Sequence, residues 1–337
     1  MAINKYGDIS ARTGVYATKK FLKRAKKECV VGNFCTKTEI PKNRSKTLKF
    51  RRWKSLGVID TPLAEGVTPA GQNLIPEDVT AVIKQYGGVM EFSDEILDTH
   101  EDPILNESSA LMGEQAGESF EKIKIDVLRA ATNQFFAGGD SMDTVSKPVS
   151  LSILRAVNRT LRRSLAGKVT TVVHAGPNIS TEAVGASYIL MGHVDLEGDF
   201  RSIPGFLPVE KYGDSFKAVS EYEIGKVENF RIILTSMFTP EEAAGASGTE
   251  LLSGGVAVTT AAKADVYPVF AIGRDAYAFT TLGGKNAAEV SVVNPKHTDS
   301  DPLAQRGYTG WKGWLGGTIL NDNWIIKINV GCTAEYE

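Results

Sequence analysis

The chain has 337 residues, 42% hydrophobic and 23% charged, with a formal net charge of −2, a composition able to bury one large core or two ordinary ones. Charge is unevenly spread: residues 1–54 carry 16 Lys/Arg against 3 Asp/Glu and the remainder 22 against 37, so a +13 front precedes a −15 body. A cationic segment with so few large apolar residues cannot bury a core of its own and has to lie on something acidic, either nucleic acid or another copy of the chain.

From Thr13 to Lys27, Val15, Phe21, Leu22 and Ala25 mix with six cations, which predicts a short basic helix. Its apolar stripe is too thin for lipid binding. No apolar run approaches the ~20 residues that span a bilayer, so no membrane is expected among the partners. Leu48 and Phe50 alternate with Lys49 and Arg51, a strand pattern with a charged face. Gly57, Pro62, Gly66, Pro69, Gly71 and Pro76 punctuate a long turn before a second alternating run, Val79 to Phe92. Together they predict a long hairpin, marginal alone in water and resting on a neighbour.

Asp102 caps a long helix with Pro103 in its first turn. Small and apolar residues recur near a 3.6 period from Ile104 through Leu111 and Ile123 to Phe135, until Gly138 and Gly139 end it. The result is a spine of about 50 Å, or two helices broken near Gly113 and Gly117. Ser150 caps a second helix with Leu151, Leu154, Val157, Leu161 and Leu165 inward. Arg155, Arg159, Arg162, Arg163 and Lys168 crowd toward its C-terminal half and complement its dipole. Val169–Val173 reads as a buried strand, 245–255 as a loop or domain edge, and five strands follow between Val256 and Val330. Trp311 and Trp324 belong in the core by size.

Chemistry is sparse. Three cysteines, Cys29, Cys35 and Cys332, form no CxxC or Cys/His array, so neither a disulfide framework nor a zinc site is indicated. His193 with Asp195 is the best acid–base pair, yet no GxSxG elbow accompanies it. The carboxylates at Asp94, Glu95, Asp98, Glu101 and Asp102 match no EF-hand loop and read as a docking patch for a basic limb. Paired glycines at 138/139, 254/255, 283/284 and 316/317 form no nucleotide cradle. No cofactor, metal or catalytic residue is expected. For nucleic acid, the basic front with Phe21, Phe50 and Trp53 supports at most non-specific contact.

The order of basic arm, basic hairpin, long helix, central domain and terminal sheet resembles the major capsid proteins of tailed bacteriophages, a shell fold shared with herpesviruses and encapsulins. The stretches TLKFRRW (47–53), TPLAEGVTPAGQ (61–72), DVTAVIKQYGG (78–88), DTHEDPIL (98–105), EIGKVENFRII (223–233), GRDAYAF (273–279), DPLAQRGYTGWK (301–312) and ILNDNWIIKI (319–328) are similar to the podovirus N4-type coat proteins. The resemblance implies an α+β tailed-phage capsid fold. It divides the chain into an N-terminal arm (1–36), an extended loop (37–90), a peripheral domain with the spine helix (91–147), an axial domain (148–252) and the peripheral strands (253–337).

The implied function is structural, not enzymatic: self-assembly as pentamers and hexamers into an icosahedral virion shell around double-stranded DNA, in the host bacterial cytoplasm. Partners would be other copies, a portal protein and, because no long acidic leader precedes the arm, a separate scaffolding protein. Lys42, Arg44, Lys46, Lys49, Arg51 and Arg52 are expected to face acidic surface on an adjoining copy, with Asp94, Glu95, Asp98, Glu101 and Asp102 as receivers. The alternatives are an encapsulin-like nanocompartment shell and a non-specific DNA-binding protein.

Overall fold

The computed structural model describes residues 29–62, 65–66, 68, 71–94, 104–174, 180–212, 218–248, 250–253, 256–257, 262–283, 288–297 and 302–334. The basic helix expected over 13–27 and the cap at Asp102 and Pro103 lie outside these residues.

The strands in chain order are β1 (Thr36–Ile40), β2 (Thr47–Trp53), β3 (Pro76–Val82), β4 (Lys84–Ser93), β5 (Gln134–Phe136), β6 (Val169–His174), β7 (Ser180–Gly192), β8 (Leu207–Pro208), β9 (Glu223–Val227), β10 (Phe230–Leu234), β11 (Leu252–Ser253), β12 (Val256–Ala257), β13 (Tyr267–Ile272), β14 (Tyr277–Leu282), β15 (Ala288–Val293), β16 (Arg306–Ile319) and β17 (Ile325–Val330). Among the described residues the α-helices are α1 (Ile104–Arg129), α2 (Leu151–Arg163) and α3 (Glu197–Ser202).

An eight-stranded sheet forms the centre, in the order β5-β17-β13-β7-β10-β9-β8 with β6 also on β7. Alternation along its strands sends side chains to two cores. Tyr188, Leu190, Val269, Ile326 and Ile328 point to one, where α2 supplies Leu154, Val157 and Leu161. Ile189, Met191, Phe270, Ile272 and Ile325 point to the other, against Ile125 and Leu128 of α1. Covered on both faces, β10, β13 and β17 are buried at every position, and the charged residues among them are paired, Arg231 with Glu223 and Lys327 with Glu241.

The second sheet runs β1-β14-β16-β15, with β4 also on β16. Its long strand β16 binds β4 and β15 through its first half and β14 through Gly316–Ile319. Helix α1 lies on this sheet: Met112 and Ala116 meet Trp311 and Ala288, and Phe120 meets Trp311 edge-on with ring centroids 5.3 Å apart.

Several expectations are revised. Helix α1 is continuous through Gly113 and Gly117 over 26 residues, about 39 Å. It stops at Arg129, with Phe135 in β5 and Leu111 half in solvent. Helix α2 ends at Arg163, and Leu165, expected inward, is 84% exposed in the left-handed region at φ 55°. The run Val79–Phe92 is two strands, because Ile83 turns its N–H to the Lys46 carbonyl and the chain changes partner there. Sheet membership also crosses the expected 252/253 boundary, since β13 and β17 occupy the middle of the central sheet beside β7 and β5. Trp311 is buried, while Trp324 is half-buried between the two cores and donates from Nε1 to the Ser164 carbonyl.

Candidate assembly interface

With β1 and β4 built into the second sheet, what stands off the body of the expected 37–90 loop is 41–83. Its root is a turn at Lys42–Arg44, with Asn43 in the left-handed conformation that asparagine tolerates. From there β2 and β3 pair antiparallel from Thr47↔Val82 to Trp53↔Pro76, and neither pairs with any other strand among the described residues. One face of this ribbon carries Leu48, Phe50, Val79 and Ala81, and only Ala81, near the root, is buried. Four modest side chains cannot hold such a ribbon in water by burial alone.

Charge supplies part of the remainder. Across the ribbon Arg51 Nε and Nη2 donate to Asp78 Oδ1 and Oδ2 at 2.7 and 2.9 Å, and Arg52 Nε donates to Glu77 Oε2 at 3.0 Å. The Arg51 bond pulls the Asp78 carboxyl below its ordinary range and pushes the guanidinium up; the Arg52 bond lowers Glu77 likewise. A depressed carboxylate stabilises the fold fully above its unfolded pKa and loses that effect as pH falls through the folded value. These pairs therefore hold at neutral pH and loosen only in acid.

This alters the reading of the six hairpin cations. All are exposed, but Arg51 and Arg52 are bound within their own chain. Lys42, Arg44, Lys46 and Lys49 make no ion pair among the described residues. Of the expected acidic receivers, Asp94 is half-buried at the end of β4, where its N–H donates to the Gln305 carbonyl. Glu95, Asp98, Glu101 and Asp102 lie outside the described residues.

Beyond Trp53 the ribbon ends in a tip of exposed apolar side chains: Trp53, Leu56, Val58, Ile59, Leu74 and Ile75, with Val58 at 94% and Ile59 at 72% exposure. A cluster of this size on a projecting strand pair marks an interaction surface. Sequence reading weighed the charges of the hairpin and passed over this tip, although the spacing of Leu56, Val58, Ile59, Leu74 and Ile75 on either side of the Gly/Pro turn was there to find.

A second feature missed in sequence fixes residues 30 and 31 to the body. Glu121, buried on α1, accepts from the backbone N–H groups of Val30 and Val31 at 2.8 and 2.7 Å through Oε1 and from Lys124 at 3.3 Å through Oε2. Tyr277 donates to the Val31 carbonyl at 2.7 Å from the other side. Beside this root lies a cleft of about 610 Å³, lined by Cys29, Cys35, Lys37, Phe120, Phe279 and Trp314 among others. Burial raises the Cys35 thiol pKa, leaving it protonated and unreactive.

The His193–Asp195 pair does meet, Nδ1 to Oδ2 at 3.1 Å. Its work is local: Nδ1 accepts the Asp195 N–H at the head of a short helical turn, and Asp195 Oδ2 accepts from Tyr267 at 2.9 Å. Among the described residues no cluster of three or more His, Cys, Asp or Glu is placed to hold a metal, and no helix is long and apolar enough to cross a membrane.

A projecting ribbon, a segment at Val30–Val31 held by Glu121 and a spine helix on a mixed body can be set beside known proteins. The family model for phage capsid proteins matches residues 76–328, and no curated protein matches the chain. Among solved structures, the capsid of Ralstonia phage GP4 superposes with a TM-score of 0.66 at 10% identity, covering 93% of both chains. The capsid of cyanophage P-SCSP1u and the head of Helicobacter pylori bacteriophage KHP40 each superpose at 0.57 with 11% identity, covering 90% of this chain and 88% of theirs. At such identity the structures speak for the fold, which is the α+β capsid fold, and the family match covers well over half of the chain. The chain belongs to the phage capsid protein family and is a structural protein of the shell, not an enzyme.

Proposed function

We propose that this chain is the major capsid protein of a tailed phage, assembling as pentamers and hexamers into an icosahedral shell around double-stranded DNA. The observation that carries the reading is the projecting hairpin over 41–83, whose apolar tip is exposed and whose Lys42, Arg44, Lys46 and Lys49 make no ion pair among the described residues. On an adjoining copy both needs are met at once: the tip is removed from water, and Lys42, Arg44, Lys46 and Lys49 approach the acidic body. Each exposed ion pair is worth only about 0–1 kcal/mol, so closure depends on many weak contacts repeated around a ring, and misplaced subunits can leave.

In this reading residues 1–36 are the arm and 41–83 the loop that lies across a neighbour. The spine helix with the β4–β16 sheet is the peripheral domain, and the central sheet with α2 belongs to the axial domain. A separate scaffolding protein, a portal protein and assembly in the host cytoplasm complete it, and the podovirus N4-type kinship rests on the sequence stretches alone. The test is electron microscopy and sedimentation of the purified full chain beside a K42E/R44E/K46E/K49E variant. Wild type forms large closed particles and the variant stays as folded subunits. Normal particles from the variant would overturn the role given to these cations, and a monodisperse monomer from wild type under all assembly conditions would overturn the shell.

A further inference from the structure

Helix α2 presents an outward face that the shell reading leaves unused. Leu154, Val157 and Leu161 are buried against the central sheet, which turns Arg155, Arg159, Arg162 and Arg163 to solvent. All four guanidiniums fall within a helical rise of about 12 Å. Arg155 pairs with Glu228 at 2.7 Å. Arg159, Arg162 and Arg163 make no ion pair among the described residues, and the helix contains no Asp or Glu. The helix dipole accounts for Arg162 and Arg163, which lie in the last turn, but its effect has faded at Arg159. Arg159 stands i,i+3 and i,i+4 from Arg162 and Arg163, where like charges repel and cost helix stability. Beside the helix end, Lys168 continues the positive surface, its ammonium 2.9 Å from Asn229 Oδ1 and over the Tyr188 ring.

We infer that this arginine face binds the phosphodiester backbone of duplex DNA, and so lies against the nucleic acid that the proposed shell encloses. Duplex DNA carries one negative charge per about 1.7 Å of axis, a density that several guanidiniums in 12 Å of helix can meet. Guanidinium also matches phosphate in a two-pronged hydrogen-bonding geometry. A protein partner fits less well. Protein interfaces do enrich arginine, but within a centre that is aromatic and otherwise depleted of charge, whereas nucleic-acid interfaces are much more strongly cationic, as this face of arginines continued by Lys168 is. The inference rests on the enclosed-DNA reading, but its test can fail separately.

The experiment compares the full wild-type chain with R159Q/R162Q/R163Q, measuring anisotropy of a labelled 30-base-pair duplex from about 50 to 200 mM NaCl and particle formation by sedimentation. Each phosphate contact contributes about 0.9 to the slope of log K against log salt. The expected result is a slope shallower by about 2 to 3 in the variant, with particles formed as in wild type. An unchanged slope overturns the inference. If particles are also lost, the face is an interface between copies instead. Should wild type form no particles, the enclosure reading fails while the slope difference still decides whether the face binds phosphate. If the triple variant does not fold, R159Q alone serves: a slope shallower by about 0.9 is expected, and no change overturns it.

Discussion

Replacing Val58 and Ile59 together by serine tests the apolar tip directly. At 94% and 72% exposure the two side chains leave nearly all of their surface in water, so the substitutions remove almost nothing from the fold of the isolated chain. Fully burying a Val or Ile side chain stabilises by about 1.5–3 kcal/mol. If a neighbour covers half of each, the pair contributes about 1.5–3 kcal/mol per contact, which at about 1.4 kcal/mol per decade is roughly a 10- to 140-fold change in association constant. The assay is the subunit concentration above which particles appear, read by light scattering, with circular dichroism and melting temperature as controls on folding. The expected result is a threshold raised at least about 10-fold with an unchanged melting temperature. A threshold within twofold of wild type would refute the claim that the tip is buried in the shell. A collapse of the melting temperature would refute the reading that the tip is exposed in the isolated subunit.

Four other outcomes follow from the geometry. Glu121→Ala leaves the N–H groups of Val30 and Val31 without their acceptor, at about 2–4 kcal/mol; hydrogen exchange at residues 30–35 should quicken, and unchanged protection would show that Glu121 is not the tether. Arg231 and Glu223 form a pair at 3.5 Å buried in the central sheet, where Glu223 also accepts from Tyr212 and the Val219 N–H. Arg231→Met strands that carboxylate, costing about 3–5 kcal/mol, and a denaturation midpoint equal to wild type would contradict it. A Cβ on Gly87 would sit 2.6 Å from the Trp311 carbonyl, whereas one on Gly57 meets nothing within 4 Å. Gly87→Ala should therefore lose about 1–3 kcal/mol while Gly57→Ala loses none in a paired thermal melt, and equal melts would refute the close approach. Tyr188, Tyr212, Tyr267 and Tyr277 have phenol pKa values raised first by burial, with Glu223 and Asp195 adding to the shift for Tyr212 and Tyr267. The neutral phenol is the form the fold favours, so its stabilisation is complete below about pH 10 and lost as pH rises. Absorbance titration should then show these four ionising only together with unfolding; reversible ionisation of all ten tyrosines with the fold intact would disprove it.

Much of the architecture was legible because it follows from periodicity. The apolar stripes of α1 and α2 and the strand alternation of 47–53 announced themselves, since one buried face leaves a repeat in sequence. Partner choice leaves no such mark. In the run from Val79 to Phe92 the inward positions shift from odd (Val79, Ala81, Ile83) to even (Tyr86, Met90, Phe92) across Lys84 and Gln85, but that shift does not name the new partner. Tyr267–Ile272 and Ile325–Val330 read as buried strands, but nothing local assigns them to the central sheet with β7. The arginines of the hairpin were visible and their nearest acids were not: Asp78 and Glu77 are 27 and 25 residues distant from Arg51 and Arg52, and only the register of β2 on β3 brings them opposite. Glu121 was unreadable for the same reason, being 91 residues from Val30.

The two cross-strand ion pairs bear on assembly more than on the stability of the subunit. Exposed as they are, they add little to the folding of the body, but they fix the register of a ribbon that has almost no core. A segment that orders only on binding loses part of its interaction energy to lost conformational freedom. In the proposed shell, a ribbon already held straight by Arg51–Asp78 and Arg52–Glu77 would meet its neighbour with part of that cost met within its own chain. Contacts at the tip and root can then be individually weak and still close a shell, and their weakness keeps addition of a subunit reversible until the ring is complete. In the proposed shell, opposite charge thus does two separate jobs along one hairpin: Arg51 and Arg52 shape the ribbon from within, and Lys42, Arg44, Lys46 and Lys49 are left for a neighbour's surface.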